Sequence, residues 1–299
     1  VSRPNTTSFP FQAPDISLGE FRLLPDHPAW RRMNDIGESQ PLIAIPRTAV
    51  AIHQEGRPRV VADPMRAVLY PAGQLYRREV VSADGDRCSF ITFSHALAAD
   101  AAREFDTAAA DPVTYRFPFV AAPIATDVYV LQHRTRRLVE SGTFDPDEVR
   151  EALYWIVASL VSNGYRAENG ACPKRRSATQ RAHRDAIDSI RSRLGQEPST
   201  NVSLDELAAS VHLSPFHLTR LFRQQAGRSI HAYRTEVRLR ASLDQLADGR
   251  PISDVALEVG FASHAHFTDR FRRAYGVTPQ TFRQMSKRVI ARSGVGRIA

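Results

Sequence analysis

Arginine recurs at helical spacing in two related segments toward the end of this chain. The first reads LDELAASVHLSPFHLTRLFRQQAGRS from Leu204, and the second reads SDVALEVGFASHAHFTDRFRRAYGVT from Ser253. Ala208 answers to Ala256 and Val211 to Val259 at an offset of 48. Beyond one extra residue in the second turn the offset is 49, which pairs Leu218 with Phe267, Thr219 with Thr268, Phe222 with Phe271, Arg223 with Arg272 and Gly227 with Gly276. A guanidinium is a rigid fork of donors that suits a phosphate, or the O6 and N7 edge of a guanine. Two short helices, repeated once and heavy in arginine, imply paired helix-turn-helix readers of DNA.

Other chemistries find less support. The chain has two cysteines, Cys88 and Cys172, which build neither a disulfide framework nor a four-cysteine zinc site, and a reducing cytoplasm is the simplest compartment for them. Cys88 beside Arg87 could be a thiol sensor, but a small buried strand residue is the commoner outcome. The β-rich region offers His53 and, at its end, His95, without the converging histidines and acid that a cupin metal needs. His264 and His266 lie two apart on a helix and point to different sides. No metal, no cofactor and no catalysis are therefore expected.

The elements that position the arginines announce themselves by their caps. Ser203-Leu204-Asp205-Glu206 is a capping box before an apolar run, so a helix begins there and ends near Val211. Ser214 caps the next helix, with Pro215 at its first position and residues 216–225 following. Leu218, Leu221 and Phe222 fall on one face, toward a core, while Thr219, Arg220 and Arg223 fall on others. In the second unit Gly260 permits the turn, Ser263 caps, and Phe267 and Phe271 anchor. His264, Ala265, Thr268 and Asp269 project outward. Gly276 ends that helix and Thr278-Pro279 begins another. A helix over residues 180–194 opens this half, and a long helical segment over 229–246 separates the two units.

Charge divides the chain in the same place. Residues 1–173 carry a net charge of −3 and residues 174–299 carry +11, together the +8 of the whole. A basic half joined to an ordinary half is the electrostatic footprint of a nucleic-acid-binding domain with a companion. Lys174 and Lys287 are the two lysines among 40 basic residues, an arginine bias that genome composition mostly explains. The longest strongly apolar stretch, residues 152–161, is about half of what a membrane-spanning helix needs, so a soluble protein without a leader is expected.

The acidic half reads as α+β. Residues 1–20, rich in Pro, Ser, Thr and Asn, predict an irregular arm. Over residues 41–94 the runs LIAI, TAVAIH, RVVA, AVLY, LYRREVV and CSFITF alternate with turn signals, which predicts a small antiparallel sandwich or barrel. Helices are expected over residues 96–109 and 123–140, and a third starts sharply with Asp145 as cap and Pro146 at its first position. Its stripe of Val149, Leu153, Ile156, Val157, Leu160 and Val161 must pack either on the β-structure or on another subunit. Residues 169–179, with the basic run Lys174-Arg175-Arg176, read as a linker. Within the β-region His53, Tyr70, Tyr76 and Arg78 are candidates for lining an effector pocket. Tyr76 and Arg78 face one side of their strand and Arg77 the other.

The motifs Gly260-Phe261, His266-Phe267, Arg270-Phe271-Arg272-Arg273, Tyr275-Gly276-Val277-Thr278-Pro279 and Phe282-Arg283 carry a resemblance to the AraC/XylS family. It covers residues 181–285. It implies a seven-helix domain, with a long helix near residues 232–246 linking two units that enter successive major grooves on one face of DNA. It also implies Phe216, Thr219 and Arg220 as base readers in the first unit, and His264, Ala265, Thr268 and Asp269 in the second. Arg220 can hold guanine O6 and N7 together, worth about 1–3 kcal/mol of discrimination, and Phe216 can pack on a thymine methyl. Arg223, Arg272 and Arg273 suit phosphates, where charge and reach suffice. Asp269 departs from the family, which often has arginine there; either it reads a cytosine amino group or it pairs with Arg272 or Arg273.

The resemblance extends to domain order, since a cupin-like sensing or dimerisation domain followed by helices often precedes such a DNA-binding domain. The implied organisation is an arm over residues 1–20, a cupin-like domain over 21–165, a linker over 166–180, the double helix-turn-helix over 181–285 and a tail over 286–299. The expected protein is a cytoplasmic transcription regulator, a homodimer that meets RNA polymerase and answers to a small-molecule effector. Competing expectations are an enzyme that carries the same domain, as alkyl-repair methyltransferases do, and an architectural DNA binder.

Overall fold

The computed structural model describes residues 6–37, 39–169 and 178–294, which fall in two compact units, residues up to 169 together with 289–294 in the first and 178–288 in the second.

The first unit is an antiparallel two-sheet structure with three helices. Its strands are β1 (Thr6–Gln12), β2 (Ile16–Leu23), β3 (Asn34–Asp35), β4 (Leu42–Pro46), β5 (Val50–Gln54), β6 (Val60–Ala62), β7 (Arg66–Tyr70), β8 (Leu75–Val80), β9 (Asp86–Phe93) and β10 (Ala121–Pro123). One sheet has the order β1-β2-β9-β4-β7-β10 and the other β3-β8-β5-β6. The alternation expected along the strands holds on β8, where Tyr76 and Arg78 are buried and Arg77 is exposed. A core of Val50, Ile52, Val60, Val68, Tyr70 and Tyr76 lies within this structure.

Residues 6–20 correct the expectation of an irregular arm. β1 and β2 pair antiparallel, and β2 continues the ladder onto β9 from Ile16↔Phe93 to Leu23↔Asp86. Phe11, Ile16 and Leu18 are buried, which is the apolar gain that holds the segment down. Pro10 sits in the edge strand β1 at a register shift between Ser8 and Phe11, the place in a sheet that tolerates a missing N–H.

Helix α1 (His95–Ala102) is capped by Ser94 and is shorter than the stretch expected to residue 109; a 3-10 turn over Thr107–Ala110 follows. Helix α2 (Thr126–Glu140) and helix α3 (Pro146–Asn169) complete the unit. Asp145 Oδ1 accepts from the Asp147 N–H at 2.9 Å, as its cap role requires. All six residues of the α3 stripe are fully buried, packed among α1, α2, β2 and β10. That leaves the stripe no free surface for another subunit. Since α3 runs to Asn169 and the next helix begins at Ala178, the expected linker, with Lys174, Arg175 and Arg176, falls mostly outside the described residues.

The second unit is helical: α4 (Ala178–Gln196), α5 (Leu204–Ser210), α6 (Pro215–Ala226), α7 (Ile230–Ala247), α8 (Ile252–Glu258), α9 (His264–Tyr275) and α10 (Pro279–Gly294). α10 continues past residue 286, so the stretch expected to be a tail is helical to Gly294. Its core takes Ile187 and Ile190 from α4, Leu207 from α5, Leu218 and Phe222 from α6, Leu239 and Leu243 from α7, Val255 from α8 and Phe267 and Phe271 from α9.

Candidate nucleic-acid interface

Helices α5 and α6 make the first unit. The capping box is complete: Ser203 Oγ accepts from the Glu206 N–H at 3.2 Å, and Glu206 Oε2 accepts from the Ser203 N–H at 2.7 Å. Ser214 Oγ accepts from the His217 N–H at 3.2 Å, and Gly227, with φ +71°, ends α6. These caps orient α6 so that Leu218, Leu221 and Phe222 are buried while Thr219, Arg220 and Arg223 are exposed. Phe216, in the first turn, is 80% exposed. Packing within the domain therefore does not account for this phenylalanine. Thr219 Oγ1 donates to the Pro215 carbonyl at 2.8 Å, which leaves its lone pairs for an incoming donor.

Helices α8 and α9 repeat the arrangement. Ser263 Oγ accepts from the His266 N–H at 3.2 Å, and Gly276, with φ +73°, ends α9. Phe267 and Phe271 anchor it, in ring contact with each other at 5.6 Å and with Phe261 and Phe282 at 5.2 and 5.7 Å. His264 and Ala265 are exposed, whereas Thr268 and Asp269 are half-buried and do not project freely. Thr268 Oγ1 has no hydrogen-bond partner among the described residues. Asp269 Oδ1 lies 3.1 Å from Arg273 Nε, the pairing that was one of its two expected fates. Arg220, Arg223 and Arg272 have no ion-pair partner among the described residues, while Arg273 does.

A second basic feature escaped sequence reading. Arg270 Nε donates to His266 Nε2 at 3.2 Å, which makes that nitrogen an acceptor. His231, at the start of α7, is held below its ordinary value by burial and by Arg270, Arg234, His266 and Arg238 around it. Arginines at positions 234, 238 and 270 look like ordinary helix-surface residues in a one-dimensional pattern. Their convergence is a product of the tertiary fold.

Two helix-turn-helix units, joined by α7, thus present exposed arginines at their second helices, with an exposed Phe216 on the first. The family profile described as "Helix-turn-helix domain" matches residues 207–285, which spans both units. Residues 207–285 belong to the AraC/XylS family of DNA-binding domains. Over 102 residues the chain is 33% identical to the bifunctional transcriptional activator/DNA repair enzyme AdaA of Bacillus subtilis, covering 34% of this chain and 48% of that protein. Over 87 residues it is 38% identical to the transcriptional regulator Rob of Salmonella typhimurium, covering 29% of this chain and 30% of that one. The chain spans less than half the length of these curated relatives. A solved AraC-type transcriptional regulator from Chromobacterium violaceum is 27% identical and covers 36% of this chain and 94% of that one, with a TM-score of 0.31.

The AraC-type domain is preceded by the β-unit, where three of the four effector candidates meet. Tyr70 and Tyr76 rings lie 4.8 Å apart. Arg78 is buried, donates to the Tyr76 hydroxyl, and pairs with Asp86 Oδ2 at 3.1 Å. The Phe21 ring lies 4.3 Å from its guanidinium carbon. Burial pushes the Asp86 carboxyl above its ordinary range despite the pull of Arg78, and burial likewise pushes the Tyr70 and Tyr76 hydroxyls up. His53 is the exception. It alternates away from Ile52 and Gln54, half-exposed, and pairs with Glu79 Oε1 at 2.9 Å. Cys88 is buried, and burial raises its thiol well above the ordinary range, the opposite of a reactive thiolate.

Among the described residues no group of three or more His, Cys, Asp or Glu could hold a metal ion. Among them, too, no helix is long and apolar enough to cross a membrane.

Proposed function

We propose that this chain is a sequence-specific transcription regulator, which places α6 and α9 in two successive major grooves on one face of the duplex. The observation that carries this reading is Arg220, exposed on α6 and without an ion-pair partner among the described residues, one turn after a Phe216 that is 80% exposed. An unshielded phenylalanine and a free guanidinium on the second helix of a helix-turn-helix are what a base-reading surface needs. Phe216, Thr219 and Arg220 read bases in the first unit, and His264, Ala265 and Thr268 contribute in the second. Arg223 and Arg272 take phosphates. Asp269 and Arg273 satisfy each other, so neither is assigned a base or phosphate in this reading.

Residues 21–165 are assigned to sensing or dimerisation, with RNA polymerase and a small-molecule effector as partners. Tyr70, Tyr76 and Arg78 are the effector candidates kept, since Arg78 Nε and Asp86 Oδ1 have no hydrogen-bond partner among the described residues and a polar ligand would satisfy them. No catalytic step is assigned to any residue.

The test is selection from random duplexes with the full chain, followed by hydroxyl-radical footprinting of the recovered sequence. Two protected windows about one helical turn apart, with affinity that falls steeply in salt, support a regulator. Uniform coverage at any sequence contradicts it and supports an architectural protein.

A further inference from the structure

Arg238 lies midway along α7 and is 8% exposed. Its Nε donates to the Pro198 carbonyl at 2.7 Å and its Nη1 to the Gly260 carbonyl at 2.7 Å. Its Nη2 meets Ser199 O at 3.1 Å, Thr200 O at 3.3 Å and Asn201 Oδ1 at 2.9 Å. These acceptors come from two places. Residues 198–201 lead directly through Ser203 into α5, in the first reading unit. Gly260 is the turn between α8 and α9, in the second. One guanidinium, whose N–H groups are arranged in a fixed fork, therefore joins the two units.

Backbone packing makes the same joint. Gly260 has φ +92°, and a Cβ there would stand 2.6 Å from Ser199 O, 2.7 Å from Ser199 Cα and 2.9 Å from Arg238 Cζ. The approach leaves no room for any other residue type. Arg234 Nη2 adds a bond to Val202 O at 2.7 Å, just beyond the same loop.

Helix α7 packs on α6, α8 and α9, so it fixes the distance between the readers. The contact around Arg238 joins them off the axis of α7, and so it fixes the rotation of one reader about that axis relative to the other. Rotation matters because each base pair advances a duplex by about 3.4 Å and turns it by about 35°. Two readers that can swivel would accept several spacings between their half-sites; two that are locked accept one.

We infer that Arg238 is a positioning residue for DNA recognition, and that its clamp between residues 198–201 and Gly260 sets the half-site spacing this protein accepts. The inference rests on the DNA-reading function proposed above. It concerns neither base contacts nor phosphate contacts.

The experiment uses the full chain and a site recovered by selection with the unaltered protein, plus duplexes that keep both half-sites and gain or lose one base pair between them. The unaltered protein should lose about tenfold or more in affinity for a one-pair change, the cost of a misplaced contact. Arg238→Met should weaken binding to the selected spacing, and its penalty for the changed spacing should shrink to about threefold or less. Its preference at each base of either half-site should persist. Arg238→Lys, which keeps the charge but not the fork, should fall between.

Cooperative thermal unfolding is followed for every variant. Should Arg238→Met fail to fold, Arg238→Lys and Asn201→Ala decide. The latter removes one acceptor at an exposed position, and it should move the spacing penalty in the same direction by a smaller amount. Folded variants that retain the full spacing penalty overturn the inference while leaving DNA reading intact. A selection that enriches no sequence overturns the DNA reading itself.

Discussion

Asp269 and Arg273 face each other across one turn of α9, Oδ1 to Nε at 3.1 Å. The residue that corresponds to Asp269 in the first unit is Arg220, which has no such partner among the described residues. A repeat that looks symmetrical in its apolar anchors is therefore unequal in its reading positions. The first helix offers a free guanidinium, and the second spends one of its arginines on an acid beside it.

Removing that acid releases Arg273. Asp269→Ala should tighten binding to duplexes in general by a few-fold and steepen the dependence of log affinity on log salt by about 0.9, the slope expected for one more phosphate contact. Titrations across a range of salt concentrations check this. An unchanged slope would show that Arg273 lies out of reach of the backbone.

Phe216→Ala separates folding from recognition. A side chain this exposed contributes little to the folded state, so the melting free energy should move by no more than about 0.5 kcal/mol. Specific DNA affinity should drop by up to about 1.5–3 kcal/mol, the value of burying a phenylalanine against the duplex. A loss of stability with unaltered binding would return Phe216 to a structural role.

The capping box at the start of α5 predicts a pH dependence with a definite sign. Hydrogen bonds from the Ser203 backbone and side chain hold the Glu206 carboxyl below its ordinary value. A depressed carboxylate contributes stability above its unfolded value of 4.5 and loses it as pH falls through the folded value. The difference in melting temperature between the unaltered protein and Glu206→Ala should therefore narrow in acid. Ser203→Ala should cost about 1 kcal/mol at neutral pH. A difference that is constant with pH would mean that the carboxylate bond is not formed in solution.

Asp86 should behave in the opposite sense. Burial pushes its carboxyl above 3.8, so the folded chain holds that proton more tightly than the unfolded chain. The contribution is largest in acid and is lost as pH rises through the folded value. Relative to Asp86→Asn, the unaltered protein should gain stability as the pH is lowered toward 3.8. The variant carries a constant offset because Arg78 has lost its partner. Parallel melting profiles would rule out a raised Asp86.

Much of the second unit was legible because its signals are local. Ser203 with Glu206, Ser214 with Pro215, Ser263 and Gly276 each act within one turn, and each follows from residue types alone. The same logic found the start of α3 at Asp145 and Pro146. β1 and β2 were missed because their Pro, Ser and Thr residues argue locally for an arm, whereas the pairing of β2 onto β9 spans some seventy positions. That Tyr76 and Arg78 share a face followed from strand alternation, but which face turns inward, and the partner Asp86, did not. His53 was grouped with the tyrosines on residue type, although its strand turns it to the outer face. Arg238 gave no sign at all, since what distinguishes it is a set of carbonyls from two distant turns.

The central claim is that the first unit supplies base discrimination through Arg220, and it is tested most directly by one comparison. Affinities of the unaltered protein and of Arg220→Ala are measured for the selected site and for every single-base change in the half-site that α6 contacts. The account predicts that Arg220→Ala loses about 1–3 kcal/mol on the selected site and becomes indifferent at one guanine while preferences elsewhere persist. A loss shared equally by all sequences would contradict it and make Arg220 a phosphate contact.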